Sequence, residues 1–391
     1  YILVEYRWVV VVVFLLPLSL LWKVYSTARN YVVFKLNSAP KMHDKKIKDW
    51  LSGDRSTKLC TARPTWQTMS FRQGVYKSSF TNIRVDLVDV LEVDTTNMTV
   101  RCEPLVTMGQ LSRTLAPLGL ALAVVPELDQ LTVGGLVMGT GVETSSHEHG
   151  LFQHICQQYE LVLADGSVDE IPDLYYAVPW SYGTLGFLTS VVIKVVPAKK
   201  YVRVQYHPYN SLDELVKRFS EEALKKNPHQ FVEALLYTQE TGVVMTADMV
   251  DEVGRDGKDI IRFGNNPIFR ILLGWLMPPE VSLLKLTQPA AVAKLYEKAH
   301  VIQDMLVPVQ HLKEAVELFH HEFEVYPVWL CPFKVFDNPG QLKTSSGDAE
   351  IREEFREMFD HTLYDRVRDS LPYCKQAFPE IYGKVNKSAR K

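Results

Sequence analysis

Hydrophobic and polar positions alternate with a period of two along much of this chain, and elsewhere the period lengthens to that of a helix. Arg84 to Asp94 alternates for much of its length, and Met98 to Cys102 can pair back across Thr95-Thr96-Asn97 as a hairpin. From Gly109 to about Leu118 a helix puts Leu111, Leu115 and Leu118 on one face. Tyr159 to Ala164 reads as an apolar strand ended by the turn Asp165-Gly166, and Phe187 to Val196 as another, rich in Val and Ile. After Pro197-Ala198-Lys199-Lys200 the alternation resumes at Tyr201 to Tyr206, and Ser211 caps a helix that runs to about Lys226. Two further strands follow, Phe231 to Tyr237 and Gly242 to Met249. Leu312, Ala315, Val316 and Phe319 recur at helical spacing before the strand Val325 to Phe333. Its alternation sets Tyr326, Val328 and Leu330 against Val325, Pro327, Trp329 and Cys331, and either face could meet a ligand. This order predicts an α+β chain whose second domain begins near residue 200.

The first residues break the pattern. Trp8 to Trp22 carries no charge and is bracketed by two tryptophans, as expected of rings at membrane interfaces, with Pro17 placed to kink it. It is short for a span, which needs roughly 20 residues, unless Lys23 to Tyr25 serve as a snorkelling end. A membrane helix is the leading expectation; a signal peptide and a buried helix are the alternatives. Lys23, Arg29, Lys35, Lys41, Lys45, Lys46 and Lys48 follow the segment, while only Arg7, offset by Glu5, precedes it, so the positive-inside rule places the body in the cytosol. Residues 24–36 read as a collar along the membrane surface or as a first core element.

At 391 residues the chain can bury two cores. A net charge of -3 leaves no nucleic-acid footprint. Five cysteines without a C-x-x-C pair suggest neither a disulfide framework nor a metal site.

The densest chemistry lies in residues 126–150, which hold Gly134, Gly135, Gly139, Gly141 and Gly150 together with Thr140, Thr144, Ser145 and Ser146, and no Lys or Arg. Bare N–H groups and small hydroxyls can approach an anion closely there, so the run reads as a pyrophosphate cradle. The alternative is a glycine turn and a tightly packed small-residue helix. Neither G-x-G-x-x-G nor a phosphate loop with Lys followed by Ser or Thr is present.

Gly134-Gly135 followed by Gly139 and Gly141 resembles the flavin pyrophosphate segment of the FAD-binding oxidoreductases of the vanillyl-alcohol oxidase type. Glu103 to Gln110, Gly150 to His154, Glu160 to Gly166 and Val178 to Gly186 narrow the resemblance to the branch that reduces sterol side chains. It implies a flavin domain of the PCMH type, a substrate cap and an N-terminal transmembrane helix. The expected divisions are an anchor over 1–25, a membrane-proximal linker over 26–57, the FAD domain over 58–200, the cap over 201–374, and a segment over 375–391 that packs back on the FAD domain. FAD contacts are then expected from Arg63, Thr65 and Trp66, from Thr132, Val133, Gly134, Gly135, Gly139, Thr140, Gly141, Val142, Glu143, Thr144, Ser145, Ser146, His147 and Gly150, and from Gly183, Thr184 and Gly186. No His lies between Leu59 and Phe80, where some relatives tether the flavin, so the FAD should be non-covalent. Family segments look absent near residues 168–171, 256–260 and 340–351.

The activity implied is reduction of the C24–C25 double bond of a sterol drawn from the bilayer, with NADPH as reductant, at the endoplasmic reticulum; a homo-oligomer stays open. An isolated alkene has no carbonyl to polarise it, so protonation must accompany hydride addition, and that requires an acid in a water-poor pocket. Asp304, Tyr326 and His147 are the candidates, against readings as an ordinary carboxylate, a packing residue and a hydrated surface group. His147 could also donate to the flavin N1/O2 edge. The rival functions are a flavin oxidase of sugar lactones or hydroxy acids, and a sterol-binding scaffold. Phe269 to Met277 reads as a sterol- or membrane-facing surface, or as core.

Overall fold

A computed structural model describes residues 9, 11–36, 49, 51–52, 57–61, 77, 79–83, 85, 87–169, 172–252, 283, 289–290, 305–336 and 362–381. Arg63, Thr65, Trp66, Asp304, the apolar stretch 269–277 and the tail beyond 381 lie outside the described residues.

Helix α1 spans Leu16–Leu36 and follows a π-helical turn at Val11–Leu15. Pro17 stands in its first turn, where a missing N–H costs nothing, so it starts this helix and the widened turn precedes it. The apolar run ends at Trp22, but the helix continues through Lys23 and Arg29. Among the described residues no helix is long and apolar enough to cross a membrane. The transmembrane expectation for Trp8 to Trp22 therefore lacks a matching helix among the described residues: the helix carries Lys23, Arg29 and Lys35 within its 21 residues, and Trp8 and Val10 of the expected segment lie outside the described residues. Several apolar side chains of this stretch are nonetheless outward: Phe14 of the π-helical turn and Leu21 and Val24 of α1 are each more than 60% exposed.

The first sheet forms on strands β3 (Val90–Asp94), β4 (Thr99–Cys102), β5 (Leu120–Leu122), β6 (Cys156–Val162), β7 (Val168–Asp169) and β8 (Phe187–Pro197). A separate parallel pair, β1 (Leu59–Thr61) and β2 (Thr81–Ile83), precedes them. Sheet order is β3-β4-β8-β6-β7 with β5 on β8, all antiparallel. The hairpin β3/β4 turns over residues 95–98, where Asp94 accepts from the N–H groups of Thr96 and Asn97, the Asx turn that Asp favours. Helix α2 (Met108–Leu115) is capped by the Thr107 hydroxyl and buries Leu111 and Leu115 against the sheet. Helix α3 (Val133–Met138), α4 (Ser146–His149) and α5 (Pro172–Ala177) complete this unit.

The chain leaves β8 at Pro197 and enters β9 (Tyr201–Tyr209) three residues later, in a different sheet. Helix α6 (Leu212–Leu224), β10 (Phe231–Leu236), β11 (Gly242–Val250), α7 (Leu312–Phe323) and β12 (Val328–Leu330) follow, in the antiparallel order β12-β10-β11-β9. Val232, Ala234, Leu236 and Val244 point one way, into Leu215 and Phe219 of α6 and Val316 of α7. Phe231, Glu233 and Met245 point the other way and are not covered by these helices.

The C-terminal pieces α8 (Thr362–Ser370) and α9 (Cys374–Ala377) return to the first unit, where Leu363, Val367, Leu371, Ala377 and Phe378 join its core. Among the described residues that packing includes Leu363, before the boundary expected at 375.

Candidate functional site

In the glycine-rich run, the structure separates two kinds of backbone amide. At the start of α3 the N–H of Val133 donates to Val106 O at 2.9 Å and that of Gly134 to Pro104 O at 2.7 Å. The first orphan donors of a helix, the usual anion-binding groups, are thus consumed by the protein. Gly134 serves this close approach: a Cβ there would lie 2.9 Å from Pro104 Cβ and 3.0 Å from Pro104 O. At these two positions the chain packs closely on itself, and the N–H groups of Val133 and Gly134 are engaged by its own backbone.

Past α3 the arrangement reverses. The carbonyls of Gly141, Thr144 and Ser146 accept from the N–H groups of Phe152, Val232 and Lys334 at 2.8, 2.8 and 2.9 Å, tying the loop to both units. The N–H groups of Thr140, Gly141, Val142, Thr144 and Ser145 have no hydrogen-bond partner among the described residues. Gly141, Val142, Thr144 and Ser145 are buried or half-buried, where amides are rarely left unpaired, so this row can receive a ligand's acceptors. The hydroxyls do the tying: Thr140 donates to Gln153 Oε1, Ser145 to Ala123 O, and Ser146 accepts from the Glu143 N–H. Gly139 closes α3 by donating to Gly135 O, and Gly150 turns the chain after α4 at φ 75°.

His147 is 8% exposed, so it is no hydrated surface group, unlike the neighbouring Glu148. Its Nε2 lies 2.9 Å from His229 O, and because a carbonyl only accepts, Nε2 carries the proton. Nδ1 is buried without a hydrogen-bond partner among the described residues. In the neutral ring Nδ1 can only accept, so donation to the flavin N1/O2 edge would require a second proton. His229 Nδ1 in turn lies 2.6 Å from Asp248 Oδ2.

The turn at Ser181–Gly186 packs on the end of α3, where Tyr182 N–H donates to Met138 O at 3.1 Å. Trp180 and Tyr182 take φ of 60° and 52°, a conformation that costs non-glycine residues energy and recurs at functional turns. Thr184 and Gly186, expected at the cofactor, are used internally. The Thr184 hydroxyl meets Tyr364 Oη, its carbonyl accepts from Arg368, and a Cβ on Gly186 would come within 3.0 Å of Val162 O. Arg368 is 4% exposed and also donates to Phe378 O at 2.8 Å, so the C-terminal helices are pinned to this turn.

Beside the open amides, the face of the second sheet turned away from α6 and α7 forms an apolar groove of about 270 Å³ lined by Thr144, Val202, Val204, Phe231, Glu233, Met245 and Ala247. Trp329 extends that face and donates from Nε1 to Glu233 Oε2 at 2.8 Å. Tyr326 sits on the covered side among the α6 and α7 contacts, with its hydroxyl 3.1 Å from His320 Nδ1. The structure therefore does not bring Tyr326 to the groove, and its packing reading is the one supported. A larger depression, about 340 Å³, lies among Glu92, Asp94, Arg101 and Glu160 on the first sheet, but Arg101 is already paired with Glu160 at 2.8 Å.

Glu143 turns its carboxyl away from the amide row and accepts from the Glu127 N–H at 3.2 Å. Burial, then the neighbouring Glu127, push its pKa up to about 9. Burial likewise lowers His154 to about 4. Sequence reasoning missed Glu143 as an acid, and it missed Glu233. The available clue to Glu233 was one carboxylate in the otherwise apolar strand Phe231 to Leu236.

The open amides, the orphan Nδ1 and a run 126–150 without Lys or Arg fit a bulky cofactor held by backbone. Residues 59–171 match the family described as FAD binding domain, and together with the relatives that follow this puts the chain in the class of FAD-binding oxidoreductases. The human Delta(24)-sterol reductase is 42% identical across 100% of this chain and 95% of that protein, and the Arabidopsis thaliana Delta(24)-sterol reductase 37% across 88% and 74%. A Delta(24)-sterol reductase homolog of Caenorhabditis elegans is 36% identical across 100% and 96%. The chain belongs to the Delta(24)-sterol reductase family. The human comparison runs over 493 positions against 391 residues, which leaves 102 positions without a residue of this chain.

Proposed function

We propose that this chain is an FAD-dependent reductase that uses NADPH to saturate the C24–C25 double bond of sterol side chains, the desmosterol-to-cholesterol type of reaction. The observation that carries the reading is the meeting, at Thr144, of a row of unpaired amides with an apolar groove. The N–H groups of Thr140, Gly141, Val142, Thr144 and Ser145 would hold FAD, His147 would accept through Nδ1, and Arg63, Thr65 and Trp66 join them by resemblance. The bound flavin supplies hydride chemistry. Phe231, Met245, Val202 and Val204 exclude water from a hydrocarbon side chain and orient it. A lactone or hydroxy acid would find few hydrogen-bonding partners on that surface.

Membrane attachment at the endoplasmic reticulum, with the body cytosolic, is part of the same reading. It is supported by the outward Phe14 before α1, by Leu21 and Val24 of α1 and by the basic residues after Trp22. Alkaline carbonate extraction and protease protection of membranes carrying the chain test it: release by carbonate, or a body shielded from added protease, would contradict it.

The activity is tested by anaerobic titration of the detergent-purified protein with NADPH, then with a Δ24 sterol. Bleaching of the flavin band, recovery on adding the sterol, and the saturated sterol as product are expected. A flavin that stays oxidised under NADPH contradicts the proposal.

A further inference from the structure

Three hydrogen bonds hold residues 144–147 of the first unit to the second. Val232 N–H donates to Thr144 O at 2.8 Å, Lys334 N–H to Ser146 O at 2.9 Å, and His147 Nε2 to His229 O at 2.9 Å. Val232, Ser146 and His147 are buried, so these bonds are sheltered from water.

The strand register shows how the loop enters the second sheet. β11 runs on past Val232, opposite Thr246, so the Val232 N–H that reaches Thr144 points to the other edge of β10, the one that carries β12. The pairing of β12 on that edge ends with Leu330 opposite Ala234, and two residues back along β10 Thr144 stands in its place. Beyond Leu330 the chain closes on the loop again, through Lys334. Residues 144–146 are therefore a wedge between the parting ends of β10 and β12.

One peptide unit of the wedge faces both ways. In a trans peptide the carbonyl and the N–H point oppositely, so with Thr144 O held on Val232 the open N–H of Ser145 points away from the second sheet. A carbonyl that accepts a hydrogen bond also leaves the N–H of its own peptide a better donor. The Thr144 side chain meanwhile lines the groove beside Phe231 and Glu233, the two neighbours of Val232.

We infer that this wedge couples two binding sites, whose ligands are those of the function proposed above: FAD on the open amides and a sterol side chain in the groove raise one another's affinity. Either ligand fixes the wedge from its own side, so the second meets a loop already ordered and costs less conformational freedom. Linkage makes the gain equal in both directions.

The apoprotein in detergent is titrated with FAD, followed by flavin fluorescence, with and without cholesterol, whose saturated side chain cannot reoxidise the flavin. Cholesterol should tighten FAD about tenfold, and FAD should tighten cholesterol by the same factor. Val232→Pro removes the donor to Thr144 O from an N–H that points away from β11, and the coupling should fall below about twofold while each ligand still binds. Hydrogen exchange in the unaltered protein reads the same coupling without a variant: FAD alone should slow exchange at Val232 and Lys334, and cholesterol alone at Ser145. Equal FAD affinities with and without bound cholesterol overturn the coupling, as does exchange at Val232 and Lys334 that is indifferent to FAD. A coupling that survives intact in Val232→Pro overturns its assignment to the wedge. Failure of the proposed function looks different: the unaltered protein then binds no FAD, or binds FAD and no cholesterol at any loading, and the coupling falls with it.

Discussion

The amides of Val133 and Gly134 and those of Thr140 to Ser145 lie within a dozen residues, in equally small, glycine-bearing sequence, yet the fold treats them oppositely. The first pair is spent on Val106 O and Pro104 O; the second set is held outward by carbonyls anchored to Phe152, Val232 and Lys334. The difference teaches that a glycine run marks close approach without saying what approaches. At Gly134 it is the protein's own backbone, and at Thr140, Gly141, Val142, Thr144 and Ser145 the proposed function makes it FAD.

Four substitutions probe that division, in order of decreasing effect. Arg368→Met removes the buried donor to Thr184 O and Phe378 O and should cost about 3 kcal/mol, read as a lowered melting temperature. FAD affinity of the folded fraction should hold, because Thr184 belongs to the spent class; an intact melting temperature with lost FAD would move that turn to the ligand side. Gly134→Ala drives a Cβ against Pro104 backbone, which cannot yield, and should destabilise by about 1–3 kcal/mol without weakening FAD. Val142→Pro deletes one open amide and should weaken FAD by about tenfold, measured by flavin fluorescence, while the apoprotein melts much as before.

The last sharpens the electrostatics behind the loop. Glu143 is an acid whose folded pKa, about 9, lies above the ordinary 4.5, so its contribution to stability is whole below pH 4.5 and is lost as pH rises toward 9. Glu143→Gln should therefore flatten the fall of stability across that window by at most ~1.4 kcal/mol per pH unit, seen in denaturant melts at several pH values. An unchanged slope would mean that Glu143 ionises normally.

Much of the fold was legible because it rests on local periodicity. The hairpin 90–102, the long strand at 187–197 and the helix through Leu312, Val316 and Phe319 follow directly from their apolar spacing. The site was legible as a stretch but not as a division of labour. Whether Gly134 N–H is free depends on Pro104, some thirty residues earlier, and Thr184 is claimed by Arg368 from 184 residues away. Alternation in 231–236 and 325–333 announced two faces, yet only the placement of α6 and α7 shows that the faces of Glu233 and Trp329 are the ones turned away from those helices. Pro17 misled for a related reason: a proline's effect depends on whether it stands inside a helix or in its first turn.

Hydrogen–deuterium exchange of the apoprotein and the FAD-loaded protein, resolved to single amides, tests the division most directly. FAD should slow exchange at Thr140, Gly141, Val142, Thr144 and Ser145, and leave Val133 and Gly134 as protected as they were without it. New protection at Val133 and Gly134 with none across 140–145 would contradict the account and return the cradle to the start of α3.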